Sequence, residues 1–96
     1  MPEKKFEELI AIVKRLRAPD GCPWDKEQTF QSLTPHIIEE AYELSESMRD
    51  HNLENMREEL GDVLLHVVML SNMAEESQSF SVQDVIQDVS DKMIRR

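Results

Sequence analysis

Apolar side chains recur along this chain at intervals of three and four residues, the signature of helices that each bury one face. Phe6, Leu9, Ile10, Val13 and Leu16, separated by Glu7, Glu8, Lys14 and Arg15, predict an amphipathic helix over residues 3–17. From Ala18 to Trp24 two Pro and a Gly fall within seven residues, which ends that helix and predicts an ordered or semi-ordered loop. Thr34-Pro35 supplies an N-cap and a first-turn Pro, so a second helix is predicted from there to about Arg49, with its apolar stripe on Ile37, Ile38, Ala41, Leu44 and Met48. Asp50-His51-Asn52 is the next break. The third helix, Leu53 to Glu76, carries apolar residues at 53, 56, 60, 63, 64, 67, 68 and 70, a stripe that wants two neighbours and marks the central element. Ser81 and Asp84 make a capping-box pair ahead of Val82, Val85, Ile86, Val89 and Met93, which predicts a fourth helix ending near Arg96.

Composition narrows the picture to an all-α, four-helix, bundle-like fold in one domain over residues 1–96. Ninety-six residues suffice for one core, and two Gly with four Pro leave little material for the turns of a many-stranded sheet. The third helix is too apolar for one protomer to cover, so a homodimer is expected. Twenty acidic against eleven basic residues give a net charge of −9, which disfavours a nucleic-acid polymer or an anionic membrane as partner. A small phosphorylated ligand remains open if divalent cations stand between its phosphates and the protein. The lone Cys22, the lack of any long apolar run and the acids Glu7 and Glu8 near the start point to the cytoplasm.

The second and third helices each carry a short acidic ridge: Glu39-Glu40-Ala41-Tyr42-Glu43 and Glu58-Glu59-Leu60-Gly61-Asp62. Glu40 and Glu43 project about 60° apart on a helix, as do Glu59 and Asp62, and each pair borders an apolar stripe. Packed antiparallel, the two ridges can face one another. Four carboxylates there repel unless protonated or bridged by a cation, and an all-oxygen set suits Mg²⁺ or Mn²⁺. Ordinary solvent-facing acids on an acidic protein are the other reading, and spacing alone leaves both open. Gly61 inside a helix costs about 1 kcal/mol against Ala, which suggests close approach by substrate or by another backbone. Trp24 in the loop can stack on a base or cover the open end of the bundle. The chemistry of other sites is disfavoured: no Glu precedes His36, His51 or His66 by three residues, and no Gly-rich phosphate loop or nucleophile elbow occurs. His36 and His66 read from spacing as surface or satisfied core residues.

Taken in order, Gly21-Cys22-Pro23-Trp24-Asp25-Lys26-Glu27-Gln28-Thr29, the two acidic ridges, and Asp91-Lys92-Met93-Ile94-Arg95-Arg96 resemble the successive motifs of the MazG nucleotide pyrophosphohydrolases. The resemblance implies a dimeric all-α enzyme that converts a nucleoside triphosphate to the monophosphate and pyrophosphate, with housecleaning of non-standard nucleotides as a family-level role. It implies Mg²⁺ on Glu40, Glu43, Glu59 and Asp62. It implies a nucleotide site lined by His36, Glu39, Arg57, Glu58, Lys92, Arg95 and Arg96, beside which the loop's Trp24 is a candidate substrate contact, and we assign Glu39 as the base that takes the proton from water. Lys92, Arg95 and Arg96 can clamp the distal phosphates, although cations also complement a helix C-terminus. Members of the family often carry two such modules and usually continue past the Arg-Arg pair into a His/Pro/aromatic stretch. The sequence therefore reads as a short form or a fragment, and a non-catalytic helical dimerisation or nucleotide-sensing module is the alternative function.

Overall fold

The computed structural model describes residues 4–96 as five helices: α1 Lys5–Arg17, α2 Pro23–Glu27, α3 Phe30–Arg49, α4 Leu53–Glu76 and α5 Val82–Arg95. No strand occurs among the described residues, as the all-α expectation requires. The predicted start of the first helix at residue 3 lies outside them. Helices α1, α3 and α5 all pack upon α4, which is the central element its broad stripe predicts. Their shared core is Val13, Leu33, Val68, Met69 and Met73, with Phe6, Leu9, Ile10 and Leu70 packed against it.

That core lies on the C-terminal half of α4. In the N-terminal half Leu53, Leu60 and Leu64 stay exposed, so only part of the predicted stripe is covered within one protomer.

Two predicted boundaries need correction. Thr34 is not an N-cap: α3 begins a turn earlier, where Thr29 Oγ1 accepts from Ser32 N and Ser32 Oγ accepts from Thr29 N. A reciprocal cap of this kind satisfies two orphan amides and is worth about 1 kcal/mol. Pro35 therefore sits inside the helix, close enough to its start that only one intrahelical bond is forgone, and Thr34 Oγ1 donates to Phe30 O at 3.1 Å. The second correction is α2, a five-residue helix within the predicted loop and the segment after it, opened by Pro23 in its first turn. The chain reaches it through Gly21, where a Cβ would fall on the carbonyl oxygens of Arg15 and Leu16; only Gly lets the backbone pass so close to the end of α1.

The turns after α3 and after α4 use the same device. After α3, Asn52 N donates to Ser47 O and His51 N to Met48 O, with His51 at φ 53°; after α4, Ser79 N donates to Ala74 O and Gln78 N to Glu75 O, with Gln78 at φ 60°. These are Schellman caps built without Gly at the left-handed position. Asn52 then caps α4 through its Oδ1, and Ser81 with Asp84 forms the predicted capping box of α5. Arg17 ties the ends of α1 and α4 together: its Nε and Nη2 each donate at 2.7 Å to the carboxylate of Glu76.

Candidate functional site

The three-residue turn at Asp50–Asn52 folds α4 back along α3, so residues equidistant from His51 meet. Leu33 and Met69, eighteen residues either side, share the core. His36 and His66, fifteen either side, line one cavity. Glu43 and Glu59, eight either side, and Glu40 and Asp62, eleven either side, bring the two acidic ridges face to face. The register is thus fixed by the turn and needs no long-range accident.

Only part of the predicted stripe on α3 turns to α4, its half-buried Ile37 and Leu44. Ile38 (65 % exposed) and Met48 (55 %) point away from the protomer core, while Leu33 and Ser47 are buried and Glu40 and Glu43 half-buried. The reason is geometric: a helix pinned by Leu33 and Ser47 must turn the positions between them, 40 and 43 to 44, the same way.

Carboxylate oxygens of Glu40, Glu43 and Glu59 lie within 4.8 Å of one another. Oε2 of Glu40 is shut off from solvent and has no hydrogen-bond partner among the described residues. Burial, then Asp62 and Glu43, push the Glu40 carboxyl up, against a smaller opposing pull from His66. Glu59 is pushed up to about 7 by desolvation, by hydrogen bonding with Glu43 and Asp62, and by the charges of Glu43 and Glu40. Asp62 stands at the edge, outside the tight trio. An orphaned buried oxygen within a set of hard donors is what a divalent cation would satisfy, so the residues fit Mg²⁺ or Mn²⁺.

Beside the cluster, Trp24, Asp25, Leu33, His36, Leu65, His66 and Met69 line a cavity of about 170 Å³. Trp24 meets His36 edge to face, with centroids 5.8 Å apart and planes at 82°. His66 Nδ1 lies 3.0 Å from Asp62 O; a carbonyl only accepts, so Nδ1 is the donor. Sequence spacing missed His66 as a site residue. Its signal was its mirror relation to His36 across the turn, legible only once the turn is known.

The remaining candidates are less gathered. Glu39, Arg57 and Glu58 are exposed on α3 and α4 next to the ligating positions. Lys92, Arg95 and Arg96 are exposed at the end of α5, and Lys92 lines a groove with Phe80, Asp84, Val85, Asp88 and Val89 that includes none of the acidic cluster. Gly61 has open space around its Cα, so within one protomer it serves no close helix packing.

Fold and site together define an all-helical protein whose central hairpin gathers carboxylates beside an aromatic cavity. The chain belongs to the family of the MazG nucleotide pyrophosphohydrolase domain, whose model matches residues 28–96. It is 50% identical over 91 residues to the nucleoside triphosphate pyrophosphohydrolase/pyrophosphatase MazG of Thermotoga maritima, covering 95% of this chain and 36% of that protein. To the nucleoside triphosphate pyrophosphohydrolase of Escherichia coli it is 42% identical over 93 residues, covering 96% of this chain and 35% of that protein. The chain thus spans about a third of the length of these relatives. The crystal structure of a MazG-related protein from Thermotoga maritima superposes with a TM-score of 0.74 at 26% identity, covering 91% of this chain and 75% of that one.

Proposed function

We propose that this chain, as a homodimer, hydrolyses nucleoside triphosphates to the monophosphate and pyrophosphate, using Mg²⁺, or Mn²⁺ in its place, held by Glu40, Glu43, Glu59 and Asp62. The observation that carries the reading is the convergence of three carboxylates within 4.8 Å around an unpartnered buried oxygen of Glu40, in a chain of this family. When bound, the cation supplies neutralisation of phosphate charge and acidifies a water. Glu39, exposed beside Glu40, accepts on its carboxylate the proton lost by the water that attacks the α phosphorus. Trp24 and His36 offer an aromatic face and edge to the base, and the cavity they share with His66 adjoins the cluster through Asp62. The roles of Arg57 and Glu58 beside the nucleotide, and of Lys92, Arg95 and Arg96 on the distal phosphates, rest on the likeness of their motifs. Housecleaning of non-standard nucleotides in the cytoplasm is the cellular role in keeping with this chemistry.

The test is product analysis with Mg²⁺ and with EDTA, in ¹⁸O-labelled water. Pyrophosphate and labelled monophosphate are expected with Mg²⁺ alone. Orthophosphate as the primary product, or label confined to pyrophosphate, would refute cleavage at the α phosphorus. No turnover of any triphosphate would favour the non-catalytic dimerisation or nucleotide-sensing module.

A further inference from the structure

Helix α2 carries Trp24, yet five residues are too few to hold a helix by themselves, and none of its side chains is buried. Polar bonds hold it instead. Arg17, nearly all of its side chain covered, donates from Nη1 to Asp25 O at 2.7 Å and to Gln28 O at 3.2 Å, the carbonyls at the end of α2. The other edge of the same guanidinium is occupied by Glu76 on α4, and the buried Asn72, one turn before it, donates from Nδ2 to Glu76 Oε2 at 3.2 Å. The hydrogen bond from Arg17 is the main reason the Glu76 carboxyl stays below its usual range. A second tie runs from the far side: Gln28 Nε2 donates to Trp24 O at 2.8 Å while Gln28 Oε1 accepts from Ser32 Oγ, part of the α3 cap.

We propose that Arg17, aimed by Asn72 through Glu76, is a positioning residue that fixes α2 and so sets Trp24 against His36 over the cavity. The chain of contacts runs from the rigid central helix to an element that buries no side chain. Only a guanidinium can complete it, because its planar fork meets a carboxylate with two N–H groups and still has a third nitrogen for the two carbonyls. A Lys at 17 keeps the charge opposite Glu76 and loses the grip on α2. The consequence for turnover rests on the pyrophosphohydrolase reading: the KM for a nucleoside triphosphate rises several-fold in Arg17→Lys while kcat holds, since the metal cluster is untouched.

The structural claim is tested without turnover, because Trp24 is the only Trp of the chain. Acrylamide quenching of selectively excited Trp24 is compared in the unaltered protein, Arg17→Lys and Arg17→Met. Lys14→Met is the control, since Lys14 pairs with Glu75 across the same two helices and, among the described residues, makes no hydrogen bond or ion pair to α2. Both Arg17 variants are expected to red-shift the emission and to raise quenching about twofold, as Trp24 goes from its present 53 % exposure to a free indole, with helical circular dichroism retained. Lys14→Met is expected to leave quenching unchanged. Unaltered quenching in Arg17→Lys, or an equal rise in Lys14→Met, would overturn the proposal. Should Arg17→Met fail to fold, Arg17→Lys carries the test alone. Absence of turnover in every variant, with the fluorescence effect intact, would sink the enzymatic reading and leave the positioning claim standing.

Discussion

Glu59 holds the conflict of the acidic cluster in one side chain. Its carboxyl is raised from 4.5 to about 7, so in the metal-free protein its proton belongs to the fold. A raised folded-state value contributes stability that is fully present below the unfolded value, near 4.5, and is lost as pH rises through about 7. Glu40 shifts in the same direction and adds to the effect. In EDTA the melting temperature should therefore fall between about pH 5 and pH 8. A cation takes over the role of the proton and binds the folded form preferentially, so Mg²⁺ should raise the melting temperature most at the alkaline end. Glu59→Gln mimics the protonated acid: in EDTA it should flatten the alkaline decline, and with Mg²⁺ it should lose most of the metal-induced rise. A melting profile in EDTA that is level across this range, or a Mg²⁺ response of equal size in Glu59→Gln, would show that the cluster does not titrate or bind as described.

At the scale of elements, the helix ends explain which features the sequence disclosed. The starts of α4 and α5 were legible because Asn52, Ser81 and Asp84 are local signals whose bonds close within one turn. Thr34-Pro35 misled because it imitates a helix start; the reciprocal Thr29–Ser32 cap wins, and Pro35 is tolerated nearby. Helix α2 was missed because Pro23 to Glu27 has no apolar period and is held by Arg17, a contact invisible in local sequence. The acidic ridges were visible as ridges, but their convergence depends on the length of the turn at Asp50–Asn52, and the facing of α3 depends on Leu33 and Ser47. The same turns carry a stability prediction. Gln78 sits at φ 60°, a region that costs a side chain about 1–2 kcal/mol and a Gly little. Gln78→Gly keeps both Schellman bonds, since they use backbone groups only, and against the greater freedom of Gly in the unfolded chain it should gain a net of about 0.5–1 kcal/mol. A higher urea midpoint at unchanged slope is the expected reading, and a lower midpoint would show that the Gln78 side chain matters more than its backbone.

At the scale of the whole molecule, the chain is more open than a compact monomer of its size. Its surface of 7313 Å² exceeds the roughly 5,700 Å² expected of a folded monomer of 11.2 kDa. Its radius of gyration, 14.7 Å, is likewise larger than the roughly 12.5 Å of a compact chain of this length. The excess area, about 1,600 Å², is more than the ~800 Å² each partner gives to a standard interface. Where it lies is not random. Helix α5 packs on α4 alone and leaves Val89, Met93 and Ile94 exposed, and a groove of about 520 Å³ between α3, α4 and α5 is lined by Phe30, Ile37, Ile38, Val67, Leu70 and Phe80. Apolar area of this extent is rare on monomers, and a second copy offers the matching surface at no cost in new sequence. Sedimentation at tens of micromolar should show a dimer, and Ile38→Glu, which places a charge on the groove while sparing the protomer core, should shift the population to monomer with helical content kept. The unaltered chain sedimenting as a monomer at that concentration would refute the homodimer, whereas a dimer indifferent to Ile38→Glu would move the interface to the outer face of α5.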